Sequence, residues 1–181
     1  MSNEKEYGFS DKALSERFVF RNILPEEGDQ AALIEKICFP PNEACSEAMM
    51  KERVAMAPEL FLVAVDRETG KIAGFLNGLS TNETSFRDEF FTNANLYDPA
   101  GENVMLLGLD VLPEYRGQGL AKEIVFQYFR RESERDRKML ILTCLESKVK
   151  MYEKMGFCNH GIAESSWGGE QWFEMRYVLD I

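Results

Sequence analysis

"LDVLPEYRGQGLAKEIV" spans residues 109–125. An apolar run stops at Pro113, then Arg116, Gly117 and Gly119 follow, and an amphipathic pattern starts at once. The order predicts a strand, a glycine-rich turn and a helix start. Such a turn offers free backbone N–H groups and the positive end of a helix dipole, a site for an anion, most often a phosphate. Gly117 and Gly119 carry no Cβ, so a ligand can come close to the backbone. Arg116 can add a charge-assisted bond. The stretch is not GxxxxGK[ST]. It is not GxGxxG either, because Lys122 stands where a third glycine would be. What remains is Arg-x-x-Gly-x-Ala, filled by Arg116, Gly119 and Ala121. Spacing alone leaves a phosphate site and a plain strand-to-helix turn both open.

Outward from this stretch the chain reads as alternating elements. Val104 to Val111 is nearly all apolar, as in a central strand. Leu120, Ala121, Ile124, Val125, Tyr128 and Phe129 form an i, i+4 stripe. The charged run Arg130 to Arg137 is its solvated end. "MLILTC" (139–144) is a buried strand, and Ser147 is placed to cap a short helix through Met155, with Gly156 as its left-handed stop. Strands at 157–163 and 171–179 close the chain.

On the N-terminal side, Phe18, Phe20 and Leu24 alternate with Val19 and Arg21 as a first strand. Pro25 opens a helix with Leu33, Ile34, Ile37 and Cys38 on one face, ended by Pro40-Pro41. A second helix at about 46–57 offers Ala48, Met49 and Val54 for burial. Residues 60–80 read as a hairpin turning at 67–70. Residues 80–103 are polar and irregular with Phe86, Phe90 and Phe91 embedded, either a functional lid or an insertion packed by its aromatics. The predicted order is β-α-α-β-β-β-α-β-α-β-β, a mixed α/β (α+β) sheet flanked by helices.

At 181 residues, 45% hydrophobic and 29% charged, the chain fits one soluble domain with a real core. The expected division is a tail at 1–16 and a domain at 17–181. The four cysteines lack CxxC spacing and the only histidine is His160, which argues against a metal. The net charge of −10 argues against nucleic acid and suits a cationic partner. No apolar run reaches the roughly 20 residues of a membrane span, and residues 1–16 lack the apolar core of an export signal. The expected location is the cytoplasm.

The opening stretch resembles the acetyl-CoA-binding motif [R/Q]-x-x-G-x-[G/A] of the GNAT acetyltransferase superfamily. "VKMYEKMGF" (149–157) is similar to that family's Tyr-x-x-x-Gly-Phe segment, in the right order. The resemblance implies a GNAT-like, mostly antiparallel sheet, acetyl-CoA as co-substrate and no metal. It also implies direct transfer to a primary amine, a small aralkyl amine or a polyamine, with a protein or peptide acceptor or a non-catalytic acyl-CoA-binding module as alternatives. It allows a homodimer. It implies that Leu109, Asp110 and Val111 bond the pantetheine arm through their backbone. Gly117, Gln118, Gly119, Leu120, Ala121 and Lys122, beside Arg116, would present N–H groups to the pyrophosphate. Tyr152 would point its hydroxyl at the thioester sulfur. Segments 57–65, 96–119 and 143–157 are most similar to the arylalkylamine branch. The animal enzymes of that branch carry two histidines on the central strand, where this chain has Met105 and Leu107. An imidazole relay is therefore not expected.

Direct attack by an amine raises two proton problems. An alkyl amine near pKa 10.4 is neutral in roughly one molecule per 2,500 at pH 7, a deficit of about 4.6 kcal/mol. Asp110, Glu47 and Glu146 are the candidate bases by position, with a water chain to backbone carbonyls as the other route. Proton transfer from a tyrosine to a thiolate is uphill by roughly 2 kcal/mol. Tyr152 is therefore expected to donate a hydrogen bond to the departing sulfur or to transfer late; otherwise it is a packed aromatic. Cys144 could be acylated first, but no histidine is expected nearby to activate it.

Overall fold

The computed structural model describes residues 11–179, so residues 1–10 and 180–181, parts of the expected tail and domain, lie outside the described residues. Seven strands form one sheet: β1 (Phe18–Asn22), β2 (Phe61–Asp66), β3 (Ile72–Thr81), β4 (Asn103–Val111), β5 (Met139–Cys144), β6 (Cys158–Ile162) and β7 (Phe173–Val178). Their order across the sheet is β1-β2-β3-β4-β5-β7-β6. Neighbours run antiparallel except β4 and β5, which are parallel. The helices are α1 (Lys12–Arg17), α2 (Gly28–Cys38), α3 (Glu47–Met56), α4 (Glu89–Thr92), α5 (Leu120–Glu134) and α6 (Glu146–Lys154). The predicted order holds, with α1 and the single-turn α4 added. Among the described residues no helix is long and apolar enough to cross a membrane.

The sheet is covered on both faces, and β2 shows how. Its six residues are all buried. Phe61, Val63 and Val65 join the core under α2 and α3, while Leu62 and Ala64 join the core that contains α5. The period-2 alternation of strand side chains sends each set to its own layer. Burial on both faces explains why these strands read as nearly unbroken apolar runs.

The break in the sheet positions the site. β4 pairs with β5 only from Asn103↔Met139 to Met105↔Ile141. Opposite β3, Asn77 faces Gly108 but Gly78 faces Leu106, so Leu107 is an extra residue. A bulge of this kind bends the strand and increases its twist. β5 stays paired with β7 through Cys144. Beyond residues 105 and 141 the two parallel strands therefore part and leave a cleft between their C-terminal ends.

Several local expectations shift. The buried face of α2 runs through Ala31, Ile34 and Glu35, while Leu33 and Ile37 are 58% and 51% exposed. Reading by apolarity alone set the helix register toward the leucine. In α3 the buried residues are Met50, Arg53 and Val54 in place of Ala48 and Met49. Leu24 lies past β1 and is exposed, and Ile23 takes the buried place. Ser147 lies inside α6; the N-cap is Leu145, with no side-chain bond. Gly156 ends α6 as expected, at φ +105°. Residues 80–103 are packed down, with Phe86 and Phe90 fully buried. A neighbouring carboxylate fixes this segment, since the Phe86 N–H donates to Glu174 Oε1 at 2.7 Å.

Candidate functional site

One end of the cleft is the turn after β4. Gly117 and Gly119 sit at φ +81° and +84°, the left-handed region that costs other residues roughly 1–2 kcal/mol. A Cβ built on either glycine meets nothing within 4 Å. The glycines thus serve the backbone path, and the space above the turn is open. Gly119 caps α5 without a side-chain bond, so the first N–H groups of a 15-residue helix point toward that space. The turn is anchored from beneath. Tyr115 Oη donates to Asp66 Oδ2 at 2.6 Å, and Arg17 donates to both oxygens of Asp66 at 3.2 and 3.1 Å. These donors hold the Asp66 carboxyl well below the usual carboxylate range.

Leu109, Val111, Arg116, Gly117, Gly119, Leu120, Ala121 and Tyr152 all line this end, which encloses about 850 Å³ up to its open mouth. The side chains of the other residues expected here point away from it, whereas the expectation for them concerned the backbone. Gln118 turns its side chain back to Tyr115 O at 3.0 Å, and Lys122 lies over the Phe126 ring at 5.4 Å. Arg116 Nε donates to Val111 O at 2.9 Å, which fixes its guanidinium across the end of β4. The Asp110 side chain is buried, 1% exposed, on the α2 side of β4.

The other end encloses about 710 Å³ and is lined by Glu35, Phe39, Phe91, Leu107, Thr143, Cys144, Trp167 and Trp172. It is roofed. Trp167 Nε1 donates to Glu43 O at 2.8 Å, and Asn42 Nδ2 donates to Gly168 O at 3.0 Å. These bonds tie the β6–β7 loop to the α2–α3 loop. On the other flank Ser166 N donates to Asp88 Oδ2 at 3.1 Å, and the Phe91 and Trp167 rings lie 4.8 Å apart. Of the aromatics singled out in the sequence, Phe91 reaches the cleft, and so does Leu107. Phe86, Phe90 and Met105 are core.

Tyr152, Phe39, Leu109 and Lys148 belong to both ends. Lys148 and Tyr152 share a face of α6 because they are four residues apart. Burial pushes the Tyr152 hydroxyl well above its ordinary range. That hydroxyl makes no hydrogen bond among the described residues and is a neutral donor at the middle of the cleft. Cys144 also lines it, with its thiol pushed up by burial to about 11, which disfavours a nucleophilic thiolate.

A buried polar cluster lies behind the roofed end. Glu35 and Arg53 are 4% and 2% exposed, and Asn77 is buried beside them. Arg53 donates to Phe91 O at 2.9 Å and to Asn77 Oδ1 at 3.4 Å, and Asn77 Nδ2 donates to Gly108 O at 3.3 Å. Burial, and then the neighbouring Glu35, push the Asp110 carboxyl well above the carboxylate range. Of the three candidate bases, only Asp110 lies here. Glu47 is paired with Lys51 at 3.0 Å, and Glu146 is exposed in the first turn of α6. Sequence reasoning passed over Glu35; a register of α2 through Ala31, Ile34 and Cys38 would have marked it as a charge on the buried face. His160 is exposed on β6. Among the described residues, no three of His, Cys, Asp or Glu are grouped as a metal would need.

The model of the acetyltransferase (GNAT) family matches residues 30–157. No curated protein matches the chain. Among solved structures, the GNAT-like decarboxylase GphF in complex with isobutyryl-CoA superposes with a TM-score of 0.75 at 18% identity, covering 90% of this chain and 100% of that one. The Escherichia coli ribosomal-protein-S18-alanine N-acetyltransferase gives 0.65 at 18%, covering 91% and 95%. A phosphinothricin acetyltransferase from Sinorhizobium meliloti in complex with AcCoA gives 0.64 at 16%, covering 90% and 89%. At such identities the likeness is one of fold. Neither the family match nor these structures single out the arylalkylamine branch.

Proposed function

The chain belongs to the GNAT family of acetyltransferases, and on that premise we propose that it moves the acetyl group of acetyl-CoA directly onto the amine of a small molecule with an apolar or aromatic body. The observation that carries the choice of acceptor is the roofed end, closed by Trp167 and Asn42 and lined by aromatic rings and a buried carboxyl. Aromatic faces and a carboxylate together suit a cation attached to an apolar group. A peptide would have to pass beneath the tied loops. A carboxylate-bearing acyl group would meet Glu35 and Glu43, which also disfavours the decarboxylation named for one structural relative.

The turn end fits acetyl-CoA. Gly117 and Gly119 leave room over free N–H groups at the start of α5, where a pyrophosphate gains from the helix dipole. The edge of β4 beyond Met105, unpaired with β5, offers backbone groups of Leu109 to Val111 to an extended amide-bearing arm. When bound, the co-substrate supplies an activated acetyl thioester. Tyr152 Oη donates a hydrogen bond to the charge that develops on sulfur as the C–S bond breaks. Its raised pKa keeps it protonated for that task across the working pH range.

The test is a thiol-release assay with acetyl-CoA against phenylethylamine, tryptamine, spermidine and a lysine peptide, with calorimetry of CoA binding alongside. Turnover on the aryl amines is expected to exceed that on the peptide. Preference for the peptide would overturn the small-molecule reading. CoA binding without turnover on any amine would favour a non-catalytic module.

A further inference from the structure

Four of the five buried side-chain polar atoms that lack a partner among the described residues are Glu35 Oε1, both oxygens of Asp110, and Thr143 Oγ1. Buried polar atoms in native proteins are nearly always satisfied. Glu35 and Thr143 also line the roofed end of the cleft. The other oxygen of Glu35 accepts the Cys45 N–H at 3.0 Å, which fixes the carboxyl and leaves Oε1 uncommitted. A Cβ placed on Gly108 would lie 3.2 Å from Asp110 Oδ1 and 3.6 Å from Glu35 Oε1. The two carboxyls therefore converge at the one floor position that carries no side chain. A proton held between them satisfies both, and Asp110, the more deeply buried, carries it.

We propose that Glu35 is the catalytic base of this acetyltransferase: Oε1, held from behind by Asp110, keeps its second lone pair toward the pocket, where it receives the acceptor's ammonium and takes its first proton. The proposal rests on the amine-acceptor reading above. The ammonium gives one proton to Glu35, and the neutral nitrogen attacks the thioester carbonyl. The C–N bond forms, the C–S bond breaks, and its electron pair leaves on sulfur, which takes the second amine proton beside Tyr152. The proton on Glu35 returns to solvent when the product leaves. Arg53 lies beside the pair, and its bonds to Asn77 and Phe91 O join the floor to the wall of the pocket. The titratable and charged groups facing the pair are Cys38 from α2, Cys45 from the α2–α3 loop, Arg53 from α3 and Tyr152 from α6. Glu43, Lys148 and Cys144 stand further along the cleft wall.

Glu35→Gln in the full chain tests this on two acceptors, phenylethylamine, which must lose a proton first, and hydroxylamine, which is largely neutral at pH 7. For phenylethylamine kcat/KM is expected to fall on the order of 100-fold, and the acidic limb of its pH profile to move toward the amine's own range near 10. For hydroxylamine the loss should stay under about tenfold. Equal losses on both acceptors, with an unmoved pH profile, would make Glu35 structural and overturn the proposal. So would full activity on both. A wild-type protein that acetylates no amine would instead sink the underlying functional reading, a result separable from the first. Asp110→Asn, which still donates a hydrogen bond to Glu35, should restore most of the kcat lost in Asp110→Ala. If the two behave alike at equal Tm and CoA affinity, Asp110 does not position Glu35.

Discussion

The turn end of the cleft is made mostly by one continuous stretch, residues 109–121, with Cys38, Phe39 and the Lys148, Met151 and Tyr152 face of α6 as its far wall. The roofed end is assembled from α2, α6, the ends of β4 and β5 and three loops, and the bonds that close it join residues 124 and 126 positions apart. The first depends on backbone shape: two left-handed glycines, an uncapped helix start and an unpaired strand edge. The second depends on side chains held in place by distant partners. A ligand common to a whole family can be bound by backbone alone, whereas the acceptor is selected by side chains that differ from chain to chain.

That contrast can be broken at either end. Gly119→Val places a β-branched residue at φ +84° and fills open space above the turn. Acetyl-CoA affinity by calorimetry should fall about 100-fold, with Tm lower by several degrees from the strained backbone. An effect on the amine alone would contradict the division. Tyr152→Phe sits on the boundary. It should lower kcat at least about tenfold and leave acetyl-CoA affinity nearly unchanged, and normal turnover would remove Tyr152 from the chemistry. Trp167→Ala opens the roof. The KM for phenylethylamine should rise about fivefold, that for acetyl-CoA should stay within about twofold, and a lysine peptide should gain turnover. Asp66→Asn is the mildest for catalysis. The Asp66 carboxyl is depressed by Arg17 and Tyr115, so its stabilisation is fully present above the unfolded value near 3.9 and is lost as pH falls below about 4. The wild-type Tm should therefore drop between pH 5 and 2.5, and the Asn variant should start lower and change less.

The fold was largely legible in the sequence. β2, β4 and β5 are nearly all apolar because both faces are covered, and the 67–70 turn and Gly156 mark the ends of β2 and α6 through local backbone preference. Helix faces were less legible. In α2, apolarity pointed to Leu33 and Ile37, but the sheet receives Ala31, Ile34 and Glu35. A carboxyl can replace an aliphatic side chain on a buried face when partners beneath it satisfy its oxygens, and periodicity carries no sign of that. The irregular segment 80–103 read equally as lid or packed insertion. It is packed, because Glu174 and the β6–β7 loop hold it at points far away in the chain.

By itself the sequence determined the strand, turn and helix of residues 104–134, the place of Tyr152 one strand later and the family these imply. Each of those features follows from neighbours within a few residues: glycine's tolerance of positive φ, the 3.6-residue period and the two-residue period. Only the tertiary structure decided where β4 leaves β5, which carboxyls meet under Gly108 and what roofs the far end. Those features depend on which distant side chains are buried together, and the cost of burying a charge or leaving an acceptor unpaired is set only once the surroundings have closed around it.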